Sequence, residues 1–120
     1  MTSGMTLAPD SGVSILRLNG GNNTLLASRL RSELASAVAG RTPVVVDLTR
    51  ATSIDAGVIR ILLEGLAESE KHEQVLLLLL PDDTSSPVQR LFQTTGLSGL
   101  LPVVSSWDEA LRRAGRVSAA

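Results

Sequence analysis

The sequence predicts an α/β fold in which an N-terminal β-hairpin is followed by alternating helices and strands. Short aliphatic runs alternate with segments whose apolar residues recur at helical spacing. One run, residues 75–80, is continuously apolar and ends at Pro81, which is typical of a strand buried on both faces. The order predicts a mostly parallel central sheet of about five strands, flanked by about four helices, because such alternation joins parallel neighbours through right-handed crossovers.

The elements can be placed from turn and capping residues. The hairpin turn falls at residues 9–12, where Pro, Asp and Gly stand in the order a tight turn prefers. Helix starts are indicated by Asn and Thr at 23–24, by Ser86 before Pro87, and by Ser106. The predicted strands are 5–8, 13–18, 44–48, 75–80 and 101–104. We expect one domain over residues 1–120, with 1–4 and 115–120 disordered or frayed.

Composition excludes several function classes. A net charge of −1 gives no general attraction to nucleic acid, and an aromatic content of 2% argues against base-stacking platforms. The absence of cysteine excludes disulfides and thiolate metal sites. No apolar run approaches the ~20 residues that span a bilayer, and no secretory signal is visible. We therefore expect a cytoplasmic protein with no cofactor, no metal, no nucleic-acid partner and no direct membrane insertion.

The stretch from 44 to 63 organises the chain. It begins as a β-branched strand, crosses a short polar segment to Asp55, and continues from Val58 with apolar residues at helical spacing. At such a junction loop amides and the helix dipole converge, and α/β domains often place a ligand or partner site there. Residues 55–60 are therefore the first candidates for a functional site.

Two segments in register resemble the STAS domain, a family found in bacterial anti-sigma-factor antagonists and in sulfate transporters. The first is Asp47-Leu48-Thr49, followed eight residues after Asp47 by Asp55; the second is a helix that ends in Thr95-Gly96-Leu97. Residues 101–103 and 109–111 resemble the family's closing segment. The resemblance covers about 44–111 and is weaker before it, where Asn23 stands in place of the family's common Asp. It implies a STAS-type fold and a bacterial, non-catalytic regulator that works by protein–protein interaction.

The resemblance also implies that the family's switch is missing. In the family, a Ser or Thr directly before a Gly at the helix start is phosphorylated by a partner anti-sigma factor with kinase activity. An ungapped alignment puts Gly57 at the phosphoacceptor position, after Ala56. Deleting one residue would match Gly57 to the family's Gly but would move 59–63 out of register. Neither alignment supplies a hydroxyl, and Thr52 and Ser53 lie upstream of the helix.

The partner-binding surface is predicted at the helix start and the loop beside it. Its candidate residues are Asn23, Thr24, Asp55, Ala56, Gly57, Val58 and Arg60. Three of these have an ordinary alternative role. Asp55 is also a helix N-cap, worth about 1 kcal/mol; Gly57 also suits a tight strand-to-helix turn; and Arg60 is also a common type of exposed helix residue.

The sequence lacks the residue patterns that an enzyme or a phosphorelay protein would need. Asp47 at a strand end suggests a receiver domain, but an acidic pair after the first strand and a late lysine are missing; the only lysine is Lys71. His72, the only histidine, has no catalytic or metal-binding motif around it. We therefore predict that the protein is not an enzyme.

The predicted function is that of an anti-sigma-factor antagonist-like regulator in signal transduction and transcription control. Its partner would be a GHKL-type kinase acting as an anti-sigma factor, bound without the usual serine switch. The alternative is a structural STAS subunit of a larger signalling assembly or of a lipid-transport ABC complex. The sequence leaves the particular partner, the sigma factor and the oligomeric state open.

Overall fold

A five-stranded sheet with its strands in chain order forms the centre of the molecule. The computed structural model describes residues 4–10, 12–21, 24–83 and 85–114. The strands are β1 (Gly4–Asp10), β2 (Val13–Gly20), β3 (Val44–Ala51), β4 (Leu76–Leu79) and β5 (Val103–Val104). β1 pairs with β2 in antiparallel fashion, and every later pair is parallel. The predicted hairpin followed by a mostly parallel sheet is confirmed.

Four α-helices cover the two faces of this sheet unequally. They are α1 (Thr24–Val38), α2 (Ala56–Lys71), α3 (Pro87–Thr95) and α4 (Trp107–Arg113), with a short 3₁₀ turn at Leu97–Gly99. The first three pack into one core cluster and α4 packs into another. We call the two sides the three-helix face and the α4 face.

Successive side chains of a strand point to opposite faces of the sheet, so each strand can contribute residues to both cores. In β2, Leu16 and Leu18 belong to the three-helix core while Val13 and Ile15 belong to the α4 core, and all four are buried. The continuous apolar run at 75–80 divides between the cores in the same way. The prediction of a strand buried on both faces is therefore confirmed.

The strand boundaries differ from the predicted ones. β3 continues to Ala51 because its pairing with β2 resumes after a register shift between Arg17 and Asn19. β1 continues through Pro9 to Asp10, so the turn is shorter than 9–12; proline is tolerated there because β1 is an edge strand.

The predicted disorder at the chain ends is tested at one residue only. Gly4 was expected to be disordered but lies in β1, where it pairs with Asn19. Residues 1–3 and 115–120 lie outside the described part of the chain.

Candidate functional site

The N-terminus of α2 is formed by a side-chain cap. Asp55 has extended backbone angles (φ −104°, ψ 178°), and its Oδ1 accepts a hydrogen bond of 2.9 Å from the backbone N–H of Val58. This bond satisfies one of the amides that a helix start leaves without an intrahelical partner. The predicted capping role of Asp55 is confirmed.

Gly57 lies in the exposed first turn of α2 in an ordinary helical conformation. Positive φ angles among the described glycines occur at Gly12, Gly20 and Gly96 only. A Cβ atom added to Gly57 would meet a single neighbour within 4 Å, Asp55 Oδ1 at 3.3 Å. The backbone angles therefore do not require glycine here, but a side chain would require Asp55 Oδ1 to move by a few tenths of an ångström.

The other candidates on α2 divide between surface and core. Ala56 and Arg60 are exposed, as are Asp55 and Gly57. Val58 is fully buried in the three-helix core, so its side chain cannot contribute to a docking surface. Its place in the apolar helical spacing, which also includes Ile61 and Leu62, explains this correction.

The chain at Gly20 and Gly21, after β2, lies against the loop before α2. The backbone N–H of Thr52 donates to the carbonyl oxygen of Gly20 at 2.9 Å. A Cβ on Gly21 would lie 3.4 Å from Ser53 Oγ, which shows how closely the two loops approach. The predicted residue Asn23 lies outside the described residues, and Thr24 is the first residue of α1.

A surface groove that the sequence analysis did not anticipate lies between the first turns of α1 and α2. It has a volume of about 270 Å³. Its lining residues are Ala27, Ser28, Arg31, Gly57, Arg60 and Ile61. Helical spacing indicates which residues of each helix share a face, but not which faces of two helices meet, so no local signal could have identified the groove.

The charges at this groove are mainly positive. Arg60 forms no ion pair with any residue that the structure describes. Arg31 lies 3.5 Å from Glu64, and both of these side chains are more than half exposed. An exposed pair of this kind is weak, so both arginines are available to an anion.

The remaining candidates for chemistry serve the fold. Asp47 Oδ1 accepts bonds from the backbone N–H and the hydroxyl of Thr49, and its Oδ2 lies 3.3 Å from Arg17 Nε. His72 follows α2 as its C-cap, with its Nε2 3.9 Å from Glu68 Oε2.

Over the described ranges, no cluster of His, Cys, Asp and Glu side chains is suited to a metal ion. None of the described helices is long and apolar enough to cross a membrane.

The sheet order, the helix arrangement and the capped start of α2 define an α/β domain of STAS type. A family model described as "Mlab, STAS domain" matches residues 5–102, and the chain belongs to the STAS domain family. The resemblance found in the sequence is thereby confirmed. No protein with a curated description matches the sequence.

Solved structures of anti-sigma factor antagonists share the fold. One from Mycobacterium paratuberculosis matches with a TM-score of 0.79 at 20% identity, over 95% of both chains. SpoIIAA in its unphosphorylated form matches with a TM-score of 0.75 at 20% identity, over 96% of this chain and 99% of that one. A putative antagonist from Thermotoga maritima matches with a TM-score of 0.76 at 17% identity, over 92% of this chain and 94% of that one. At these identities the likeness shows the fold alone.

Proposed function

We propose that this protein is a single-domain, non-catalytic cytoplasmic regulator that binds a kinase-type anti-sigma factor and is not switched by phosphorylation. The observation that carries the proposal is Gly57. It lies exposed in the first turn of α2, where the family resemblance places the phosphoacceptor, and it has no hydroxyl. The docking surface would comprise the exposed candidates Asp55, Ala56, Gly57 and Arg60, together with Asn23 and Thr24, which the sequence analysis assigns to it.

The physical consequence of the missing hydroxyl is a constant surface charge. A phosphate at this point would add about −1.5 to −2 charges next to the Asp55 carboxylate and would repel an acidic partner surface. Without a hydroxyl, the kinase activity of the partner cannot change the charge here. Binding would then be controlled by the amounts of the two proteins.

The test begins with tagged protein in native lysate and mass spectrometry of what it retains. We expect a GHKL-type kinase, which is then purified and mixed with ATP and the wild type, Gly57→Ser or Gly57→Ala. The two variants add a Cβ in the same place, and only serine adds a hydroxyl. We expect phosphate on Gly57→Ser alone, with weakened binding after phosphorylation, whereas Gly57→Ala behaves as the wild type.

Two outcomes would contradict the proposal. Phosphate on the wild-type protein would show that another hydroxyl serves as the switch. Recovery of transporter or assembly subunits with no kinase would favour the second candidate function, a structural subunit of a larger signalling assembly or of a lipid-transport ABC complex. Gly57 fits that candidate as well, because a permanent contact needs no switch.

A pair of substitutions separates the two roles proposed for Asp55. Asp55→Ser keeps a side-chain cap and removes the carboxylate, whereas Asp55→Ala removes both. We expect Asp55→Ala to lose about 1 kcal/mol of stability and Asp55→Ser to stay close to the wild type. If the carboxylate contacts the partner, both variants bind the purified kinase more weakly; unchanged binding by Asp55→Ser would restrict Asp55 to capping.

A further inference from the structure

The groove at Gly57 continues along the junction of α1 and α2. A second cavity, of about 90 Å³, shares Arg31 and Ile61 with the first and extends past Gly65 to Glu68. On both helices the lining residues recur three and four positions apart, so each helix contributes one continuous stripe. From 57 to 68 the groove is about 16 Å long, at 1.5 Å of rise per residue.

The middle of the groove has an apolar floor. Leu34 and Ile61 are almost fully buried, and Ala35 stands exposed beside them. Gly65 allows the two helices to approach at this point, because a Cβ there would come within 2.9 Å of Leu34 Cγ and would clash with Leu34 Cδ2. An apolar side chain of a partner would find aliphatic contacts here, in a lining that also includes the charged residues Arg31 and Glu64.

At the Gly57 end the groove is lined by two arginines, Arg31 and Arg60, and the capping carboxylate of Asp55 lies beside Gly57. Arg60 has no ion-pair partner among the described residues, and Arg31 shares a long, exposed pair with Glu64. At the other end, Glu68 already has a cationic neighbour, Lys71, whose Nζ lies 3.2 Å from Glu68 Oε1. The positive end of the α2 dipole adds to the potential around Arg60.

We infer that this groove docks a protein segment with an acidic side chain at the Arg60 end and an apolar side chain one or two helical turns further on. The inference rests on the proposed function and specifies the chemistry of the partner's contact segment. Charge complementarity selects the acidic residue and the aliphatic floor selects the apolar one. Gly57 keeps the entrance open, and a phosphate at position 57 would compete with the acidic residue for Arg60.

The experiment measures binding of the purified kinase to a set of groove variants. We expect Arg60→Glu to weaken binding at least ~10-fold, because an attraction becomes a repulsion. Arg112→Glu on α4 is the matched control, since it makes the same charge change on the other face of the sheet and should bind as the wild type. Ala35→Trp, which fills the groove from its exposed rim, should also weaken binding.

One variant should act in the opposite direction. Glu64→Gln removes the carboxylate that competes for Arg31, so the affinity for an acidic segment should rise about two- to threefold. A merely structural role of the Arg31–Glu64 pair would not produce tighter binding. All variants are checked for unchanged circular dichroism and melting temperature, so that a loss of binding cannot be confused with a loss of fold.

Failure of this inference can be told apart from failure of the proposed function. If the kinase binds but Arg60→Glu and Ala35→Trp do not weaken the complex, the groove assignment is wrong and the proposed function stands. If no kinase is recovered, the probe is a phage-displayed library of random peptides of about 12 residues, long enough to span the groove as a helix.

The library result is decisive in either direction. Enriched peptides that pair an acidic with an apolar residue, shift the amide resonances of residues 57–61 and lose binding in Arg60→Glu support the groove without the kinase. Enriched peptides that lack an acidic residue, or that shift resonances elsewhere, overturn it. The groove assignment would also be overturned if no peptide were enriched, or if a control oligonucleotide bound preferentially at residues 57–61.

Discussion

The two faces of the sheet differ in what they bury, although the same strands supply both. On the three-helix face, α1, α2 and α3 enclose an aliphatic core with Phe92 as its largest buried side chain. On the α4 face, one helix of seven residues covers a smaller core, to which α4 contributes the buried Ala110 and the residue after the helix contributes Ala114. Within β3, the buried polar side chain of Asp47 follows the apolar Val45, which lies two residues before it.

This difference in helical cover affects which side chains lie at the surface. The three-helix face buries enough apolar surface that the outer sides of α1 and α2 need not contribute to the core. Those outer sides can therefore carry arginines, an exposed glycine and a groove. On the α4 face, which has less helical cover, the buried carboxylate of Asp47 inside β3 is held by hydrogen bonds from Thr49 and Arg17.

The largest expected effect is the loss of Phe92. Phe92→Ala should lower the free energy of unfolding by about 3–5 kcal/mol, because it removes contacts and leaves a cavity in the main core. Trp107→Ala, which truncates the half-buried aromatic residue of α4, should cost clearly less. Both values come from urea denaturation followed by circular dichroism, and an equal or larger loss for Trp107→Ala would contradict the unequal roles of the two faces.

The next effect concerns the contact between α1 and α2. Glycine-to-alanine changes inside helices usually stabilise by about 1 kcal/mol, but Gly65→Ala should destabilise by about 1–3 kcal/mol because its Cβ meets Leu34. A double-mutant cycle with Leu34→Ala checks the cause. If Gly65→Ala costs the same in the Leu34→Ala background as in the wild type, the clash is not the reason for the loss.

A smaller loss is expected on the α4 face. Asp47→Ala removes the acceptor for the Thr49 amide and hydroxyl and the partner of Arg17, and should cost about 1–2 kcal/mol. Thr49→Val, which removes only the hydroxyl bond, should cost less. Thermal unfolding of the three proteins gives the comparison, and a neutral Asp47→Ala would mean that water replaces these bonds without penalty.

The smallest effect concerns pH dependence at the exposed turn between β4 and α3. The hydroxyl of Ser85 and then its backbone N–H hold the pKa of Asp83 below its ordinary value. A carboxyl with a lowered folded-state pKa stabilises above its unfolded pKa, near 4, and loses that contribution as the pH falls. The melting temperature of Asp83→Asn should therefore fall slightly less than that of the wild type between about pH 6 and pH 3. Asp82→Asn is the neighbouring control, and equal slopes for wild type and Asp83→Asn would contradict the effect.

Local features of the site could be read from the sequence. The caps at Asp55, Ser86 and Ser106 were all predicted correctly, because each joins a side chain to an amide only three residues away. The alternation of strands and helices along the sequence likewise predicted the mostly parallel sheet correctly. Val58 lies close to the helix start but belongs to the apolar stripe of α2, so its side chain is buried in the core and not at the predicted docking surface.

Non-local features could not be predicted in this way. The end of β3 depends on pairing with β2 beyond a register shift, which involves residues far apart in the chain. The groove depends on which stripe of α1 meets which stripe of α2, and the approach of Leu34 to Gly65 sets that relation. Neither residue carries a signal in the sequence that would identify the other as its neighbour.

The helical backbone of Gly57 has an evolutionary consequence. A single base change converts some glycine codons into serine codons, and the first turn of α2 would accept the new side chain with only a small movement of Asp55. A change between glycine and serine at this position therefore requires no change in the path of the backbone.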